Sequence, residues 1–333
     1  MWRIKKRPLS ATLIALAGAA IFSCTLASAQ TNYPDKPVRI IIPNTAGGPS
    51  DIMGRVIAPI LQEALGSSFI VENVGGGGGN IGHARVARSE PDGYTLLLAT
   101  TTFMINPGLY PNPNYDPIKD FVPVAELGAS PNTIAVLPSS GVTSVAELVA
   151  LARKDMAKFN IASPPIGSSS HLAVEMFKLR ESLAGAAVVF HTGGGQALQA
   201  LLANTVQVNI GVLAPIHPHI KSGGVIGLAV TGTQRWHDLP EIPTMIELGY
   251  KDFVTENLTA LVAPAKTPPE IVAKLEKAAL EGLARPAIRD RLAQGGFAVT
   301  AKSGKAFGER LQRDVPMFKK LIADAGIKLP GVK

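Results

Sequence analysis

Pro43-Asn44-Thr45-Ala46-Gly47-Gly48-Pro49-Ser50-Asp51 stands between two patterns that leave the chain few options. Before it, Val38-Arg39-Ile40-Ile41-Ile42 is an apolar, β-branched run and predicts a buried strand. After it, Ile52, Val56, Ile57, Ile60, Leu61 and Leu65 recur at helical spacing. The nine residues between must therefore be a strand-to-helix turn. Two adjacent glycines allow the backbone to approach another group closely. Ser50 or Asp51 can cap the helix that follows. The free N–H groups and positive end of that helix suit an anion such as a carboxylate.

The same kind of junction recurs along the chain. Phe69-Ile70-Val71-Glu72-Asn73 reads as a strand and runs into Gly75 to Gly79, then Asn80-Ile81-Gly82. Five consecutive glycines cannot pack by side chain and are entropically costly to fix, so their place points to a second backbone cradle. Asn160-Ile161-Ala162 leads into Ser163-Pro164-Pro165-Ile166-Gly167-Ser168-Ser169-Ser170-His171 and a helix. Val188-Val189-Phe190 leads into His191-Thr192-Gly193-Gly194-Gly195 and a helix starting near Gln196. A further strand, Tyr94 to Ala99, ends in Thr100-Thr101-Thr102, whose hydroxyls fall where ligands of open α/β sheets bind. Each junction offers backbone N–H groups and small hydroxyls, and none offers a paired general acid and base.

The remaining elements outline two domains. Asn106 to Pro117 is rich in proline and asparagine and predicts a surface excursion. Phe121 to Leu127 and Thr133 to Leu137 read as strands, with the first crossing between domains placed between them. Ser144 to Glu147 is a capping box opening a helix, as is Thr267-Pro268-Pro269-Glu270. Val206–Ile210 and Val225–Val230 complete a second sheet, and Phe253 to Val262 carries the chain back. The remainder reads as helical, about 270–284, 286–294 and 306–325.

Arg3, Lys5, Lys6 and Arg7, an apolar run from Ala11 to Leu26, and Ala27-Ser28-Ala29 together form an export signal cleaved near Ala29. A lipoprotein signal would use Cys24, but Phe22 sits poorly two residues before it. The whole chain has net charge +7; without the signal's four basic residues it has 28 basic and 25 acidic residues, net +3. That is too mild a balance to argue for nucleic acid. Cys24 is the only cysteine, so the mature chain has no disulfide and no thiolate nucleophile. An exported protein of the bacterial periplasm is expected, acting as a monomer and without a cofactor or metal.

Enzyme readings fare poorly. Gly77, Gly79 and Gly82 match G-x-G-x-x-G, but no acidic residue ends the next strand as a dinucleotide fold requires. Gly167-Ser168-Ser169-Ser170-His171 lacks the last glycine of a hydrolase elbow, and a secreted hydrolase is the distant alternative. His217 and His219 stand two apart without a carboxylate cluster and read as surface histidines on a short helix or turn.

Several motifs in fixed order resemble one family. They are Tyr33-Pro34-Asp35-Lys36-Pro37-Val38-Arg39, Ala46-Gly47-Gly48-Pro49-Ser50-Asp51, Val71-Glu72-Asn73 to Gly79-Asn80-Ile81-Gly82, and Pro91-Asp92-Gly93-Tyr94. Tyr115-Asp116-Pro117 to Asp120-Phe121, Gly167 to His171, Pro218-His219-Ile220-Lys221-Ser222-Gly223 and Ala263-Pro264 follow. Across essentially the whole mature chain this resembles the Bug family of periplasmic solute-binding proteins, which serve tripartite tricarboxylate transporters. The resemblance implies an α/β, periplasmic-binding-protein-like (type II) two-domain Venus flytrap with two crossing strands. Residues 30–130 with 255–333 would form domain 1, and 131–254 domain 2.

It further implies that Ala46, Gly47, Gly48, Pro49, Ser50 and Asp51, with Gly78, Gly79 and Asn80, grip one carboxylate. Ser168, Ser169, Ser170, His171, His191, Thr192 and Gly193 would close over the other end, using backbone amides, hydroxyls and waters. Asn44, Thr101, Thr102 and Ser163 complete the expected site. The partners implied are a small organic carboxylate and the membrane subunits of a tripartite tricarboxylate transporter, or alternatively a sensor kinase to which the liganded form is presented.

The chain departs from the family pattern at Asn44, at His191-Thr192 and at Leu258-Thr259, where many members carry aromatic rings or a cation. These changes favour a monocarboxylate, a small dicarboxylate or a less charged ligand over citrate, whose charges want Arg or Lys partners.

Overall fold

The computed structural model describes residues 1–2, 33–324 and 326–327; the export signal expected at 1–29 lies outside the described residues save for its first two. The described residues from Lys36 onward form one compact unit. Its elements in chain order are β1 Val38–Ile42, α1 Pro49–Leu65, β2 Phe69–Asn73, α2 Asn80–Ala87, β3 Thr95–Thr100 and α3 Thr101–Leu109. Then come β4 Phe121–Val136, α4 Val145–Lys154, β5 Asn160–Ser163, α5 Ser169–Arg180, β6 Ala187–Phe190, α6 Gly194–Leu202 and β7 Val208–Val212. The chain finishes with α7 Leu213–Lys221, β8 Ile226–Val230, β9 Glu256–Pro264, α8 Pro269–Leu283, α9 Pro286–Gln294, β10 Ala298–Ser303 and α10 Gly304–Asp324.

Two sheets share β4. In the first, parallel β2-β1-β3 continues through antiparallel β9 and β4 to β10. In the second, parallel β6-β5-β7 meets β4, which also pairs β8. Every residue of β3 is buried, as expected of a parallel strand covered on both faces. The two strands expected at 121–127 and 133–137 are one strand of 16 residues. Pro123 and Pro131 do not end it. Register shifts between Pro123 and Ala125 and between Glu126 and Gly128 absorb the irregularity, as bulges do. From Phe121 to Pro131 β4 pairs β9; from Asn132 to Val136 it pairs β7 and β8.

Each sheet has its own core. Ile41, Leu97, Phe103, Phe121, Leu258 and Phe307 pack on the first, and Ile134, Leu148, Phe159, Phe177, Ile210 and Phe253 on the second. Each such side chain contributes on the order of 1.5–3 kcal/mol of burial. A third cluster joins the lobes: Ile105 and Leu109 of α3 meet Leu172 of α5 and Ile322 of α10.

Two expectations are corrected. The surface excursion starts later than predicted, because α3 runs through Pro107 to Leu109 and buries Asn106. Pro107 has no N–H to give the carbonyl of Phe103 four residues back. The Tyr115 hydroxyl donates to that carbonyl instead, at 3.0 Å, so the helix tolerates its proline. In addition the C-terminal remainder is not helical alone: β10 forms in the gap between the helices expected at 286–294 and 306–325, its Ala298 and Ser303 pairing Ala129 and Ala125 of β4.

His83 of α2 sits fully buried against Phe103 and Tyr115, with ring centroids 5.4 and 4.7 Å away. Burial pushes its pKa down to about 3, so the folded protein holds it neutral. Below its ordinary pKa near 6.5 the unfolded chain takes up a proton that the folded chain refuses. Stability from this residue is therefore full above that pKa and is lost as pH falls toward 3, about 2 kcal/mol by pH 5. Urea melts across pH 7 to 4.5 should show this loss, and His83→Leu should flatten the slope whatever it does to stability at pH 7.

Candidate functional site

Five helices begin at one cavity. The N-cap residues of α1, α3, α5, α6 and α7 are Gly48, Thr100, Ser168, Gly193 and Val212, and all five line it. The cavity measures about 100 Å³. Gly48 and Thr100 come from junctions of the first sheet, Ser168, Gly193 and Val212 from junctions of the second. Only Ser168 caps its helix through its side chain, its Oγ accepting the His171 N–H at 3.1 Å. The starts of α1, α3, α6 and α7 carry no side-chain cap, so their first-turn amides are left to whatever occupies the cavity. No Lys, Arg or His lines it. The positive character of this site thus comes from helix termini, each equivalent to roughly half a charge.

Of the residues expected from sequence, Asn44, Gly48, Pro49, Ser50, Thr102, Ser168, Ser169, Ser170, Thr192 and Gly193 line the cavity. Ser50 donates to Asn44 Oδ1 at 3.0 Å, and Asn73 donates to the Asn44 carbonyl at 3.2 Å, which fixes the turn after β1.

The others stand behind this wall. Ala46 is exposed. Gly47, at φ +80°, donates its N–H to Asp51 Oδ2 at 3.0 Å. Asp51 is neither the cap of α1 nor a cavity group, since the same oxygen also accepts from Arg55 Nε at 2.9 Å. Burial pushes the Asp51 carboxyl up, but hydrogen bonds from Arg55, Gly47 and Asn73 outweigh it and hold the group below the ordinary carboxylate range. Asp51 therefore ties the turn with its charge already matched by Arg55.

The five-glycine turn packs onto α3 rather than the cavity. Asn106 Nδ2 donates to the Gly78 carbonyl at 3.0 Å and to Asn80 Oδ1 at 2.7 Å. A side chain at Gly78, φ +67°, would strike the Tyr110 hydroxyl, and Gly79 lies against His83 and the Pro43 carbonyl. Thr101 Oγ1 donates to the Glu256 carbonyl and accepts the Leu258 N–H, clamping α3 to β9. Ser163 is buried at the end of β5, and its carbonyl accepts the His191 N–H at 2.9 Å. His171 is buried beside Phe190, its Nδ1 accepting the Gly167 N–H at 3.2 Å. Burial, aided by Lys178, pushes its pKa down to about 4, so it is neutral near pH 7. It faces neither the cavity nor Ser170 as a base would.

Thr100, whose hydroxyl sequence reading set beside the crevice, and Thr45, Pro164, Pro165 and Gly194, which lie within the predicted junctions without an assigned role, also line the cavity; Val212 and Asn257 were missed. Asn257 stands beside Glu256 at the polar start of β9, which gave no signal that sets it apart. His217 is corrected as well: it is buried and its Nε2 pairs with Asp238 at 3.0 Å. Among the described residues no group of His, Cys, Asp and Glu could hold a metal, and no helix is long and apolar enough to cross a membrane.

Comparison with known proteins adds a family. The family model described as "Tripartite tricarboxylate transporter family receptor" matches residues 53–327. The chain is similar to Protein BugT of Bordetella pertussis, 34% identical over 325 residues, 95% of this chain and 98% of that one. An R. palustris protein solved with adipate superposes with a TM-score of 0.83 at 31% identity, covering 89% of this chain and 99% of its own. MatC from Rhodopseudomonas palustris, solved with bound malate, gives 0.80 at 28% identity, covering 87% and 100%.

The Asp51 tie is open to test. Asp51→Ala removes the acceptor that closes the first turn and should cost about 1–2 kcal/mol in urea unfolding at pH 7. Asp51→Asn retains an acceptor for Gly47 and should cost less.

Proposed function

This chain belongs to the tripartite tricarboxylate transporter receptor family of Bug-type periplasmic solute-binding proteins, and we propose that it captures a small organic carboxylate in the cavity where five helix termini meet, for delivery to the membrane subunits of such a transporter. The family consists of solute receptors, not enzymes.

One observation carries the ligand class. Five helix N-termini, four without a side-chain cap, face one cavity without a side-chain cation. Such a site attracts an anion through oriented amides. It lacks the full charges that three carboxylates of one ligand would need to be drawn from water. A monocarboxylate or small dicarboxylate follows, and the adipate and malate held by the two related structures are small dicarboxylates. The lobes proposed to close on it are residues 30–130 with 255–333, and 131–254. The switch of β4 from one set of partners to the other between Pro131 and Asn132 supports that boundary. The export signal read at 1–29 accords with a periplasmic receptor.

Thermal melting of the protein beginning at Gln30, against mono-, di- and tricarboxylates and their neutral amides, tests the reading. A ligand at 100 times its Kd adds about 2.7 kcal/mol, a shift of several degrees. A shift with small mono- or dicarboxylates and none with the amides is expected. Gly193→Leu places a side chain where a Cβ meets no atom within 4 Å, and should abolish the shift while leaving the unliganded melting temperature nearly unchanged. Tight citrate binding would overturn the charge argument. A flat response to every carboxylate from folded protein would overturn the ligand class.

A further inference from the structure

Asn132 is fully buried at the point where β4 changes partners. Its Nδ2 lies 3.2 Å from the Thr255 carbonyl and 2.9 Å from Thr255 Oγ1. A carbonyl oxygen can only accept, so the nitrogen of the Asn132 amide must face Thr255. The opposite orientation would set two carbonyl oxygens against each other in a buried site. Asn132 Oδ1 is thereby turned toward the start of α5. There it accepts from Ser170 Oγ at 2.7 Å and from Ser169 Oγ at 3.5 Å.

The consequence for the cavity is chemical. A serine hydroxyl has one proton and two lone pairs. Ser170 and Ser169 line the cavity but commit their protons to Asn132, so toward a ligand their side chains offer only lone pairs. Thr192 likewise gives its proton to Gln196 Oε1. Pro164 and Pro165, next along this wall, have no N–H to give. Carboxylate oxygens, which only accept, find no partner in these hydroxyls and must lie on the helix-terminal amides.

We infer that Asn132 is a positioning residue that turns Ser170 into an acceptor, and that the site selects carboxylates carrying a hydroxyl donor over their unhydroxylated counterparts. The inference rests on the carboxylate reading above and narrows it. The ligand's carboxylate takes the amides while its own O–H donates to Ser170 Oγ. A ligand without the donor leaves a buried lone pair unmatched. A neutral hydrogen bond of this kind is worth about fivefold in affinity.

The experiment uses two pairs differing by one hydroxyl, succinate against malate and propionate against lactate, both enantiomers of each hydroxy acid being titrated calorimetrically. In the wild-type chain one enantiomer of the hydroxy acid should bind about fivefold or more tightly than its partner. Ser170→Ala should bring that ratio close to one, with the unhydroxylated acid affected less than twofold. Asn132→Ala frees the Ser170 proton and should also lower the ratio. A purely structural role would weaken both acids together and keep the ratio. Should Asn132→Ala fail to fold, the Ser170→Ala ratio decides alone. Equal binding of both acids by the wild type, or a ratio unmoved in Ser170→Ala, overturns the inference while leaving the carboxylate reading intact. No binding of any carboxylate overturns both.

Discussion

The single backbone shared by two sheets is the constraint on which this molecule depends. β4 spends its first eleven residues beside β9 and its last five beside β7 and β8. Whatever one lobe does relative to the other is done across that strand and the returning segment before β9. The strand is tied on the first side by Glu126, which is fully buried yet lies 3.2 Å from both Lys302 and Arg310. Such a pair adds little net stability but is costly to break from one side. β10 and α10 are thereby held to β4. Asn132 ties the other side, reaching Thr255 on the return path and Ser170 at the mouth of α5. Crossing strands and cavity wall are thus one hydrogen-bonded unit.

The electrostatics of the cavity follow from the same economy of side chains. A lysine or arginine in a closing cleft would lose hydration each time it shut. Backbone amides at a helix start are dipolar, fixed in place and already without intrahelical partners. They attract an anion without that desolvation cost. Asp51, the one carboxylate next to the first turn, is matched by Arg55 and spent on the Gly47 amide. Its negative charge does not oppose an anion in the cavity.

What could be read from sequence was local. A β-branched run, two glycines and a helical period define a junction within about twenty residues, and the junctions at 43–51, 163–171 and 191–195 all reach the cavity wall. The five-glycine turn looked equivalent, but its surroundings are set by Asn106 and Tyr110, some thirty residues away. Distance in sequence hides such partners. His217 read as a surface histidine and is buried against Asp238. The Thr267 capping box failed for a similar reason: its hydroxyl donates to the Pro264 carbonyl, and Pro268 opens the helix. Asn132 carried no sequence signal at all, since an asparagine inside a strand pattern is merely unfavourable until its three partners are known.

The five helix termini also bear on how such a cleft closes under the proposed function. Two belong to the first lobe and three to the second, and all present the same sign of partial charge to the same space. Bringing the lobes together therefore concentrates like dipole ends, and the empty closed form carries that repulsion. An anion reverses the sign of the interaction, because each terminus it touches becomes attractive. The apolar cluster of Ile105, Leu109, Leu172 and Ile322 holds the lobes together regardless of ligand. Closure is then a balance between a ligand-independent apolar contact and a dipole term that changes sign on binding. A ligand shifts that balance only by its differential affinity for the closed form. Contacts made to termini of both lobes at once supply such a difference, whereas a molecule held by one lobe alone supplies none. The ligand's length relative to the gap between the Gly48–Thr100 and Ser168–Gly193 walls is accordingly as much a part of selectivity as its charge.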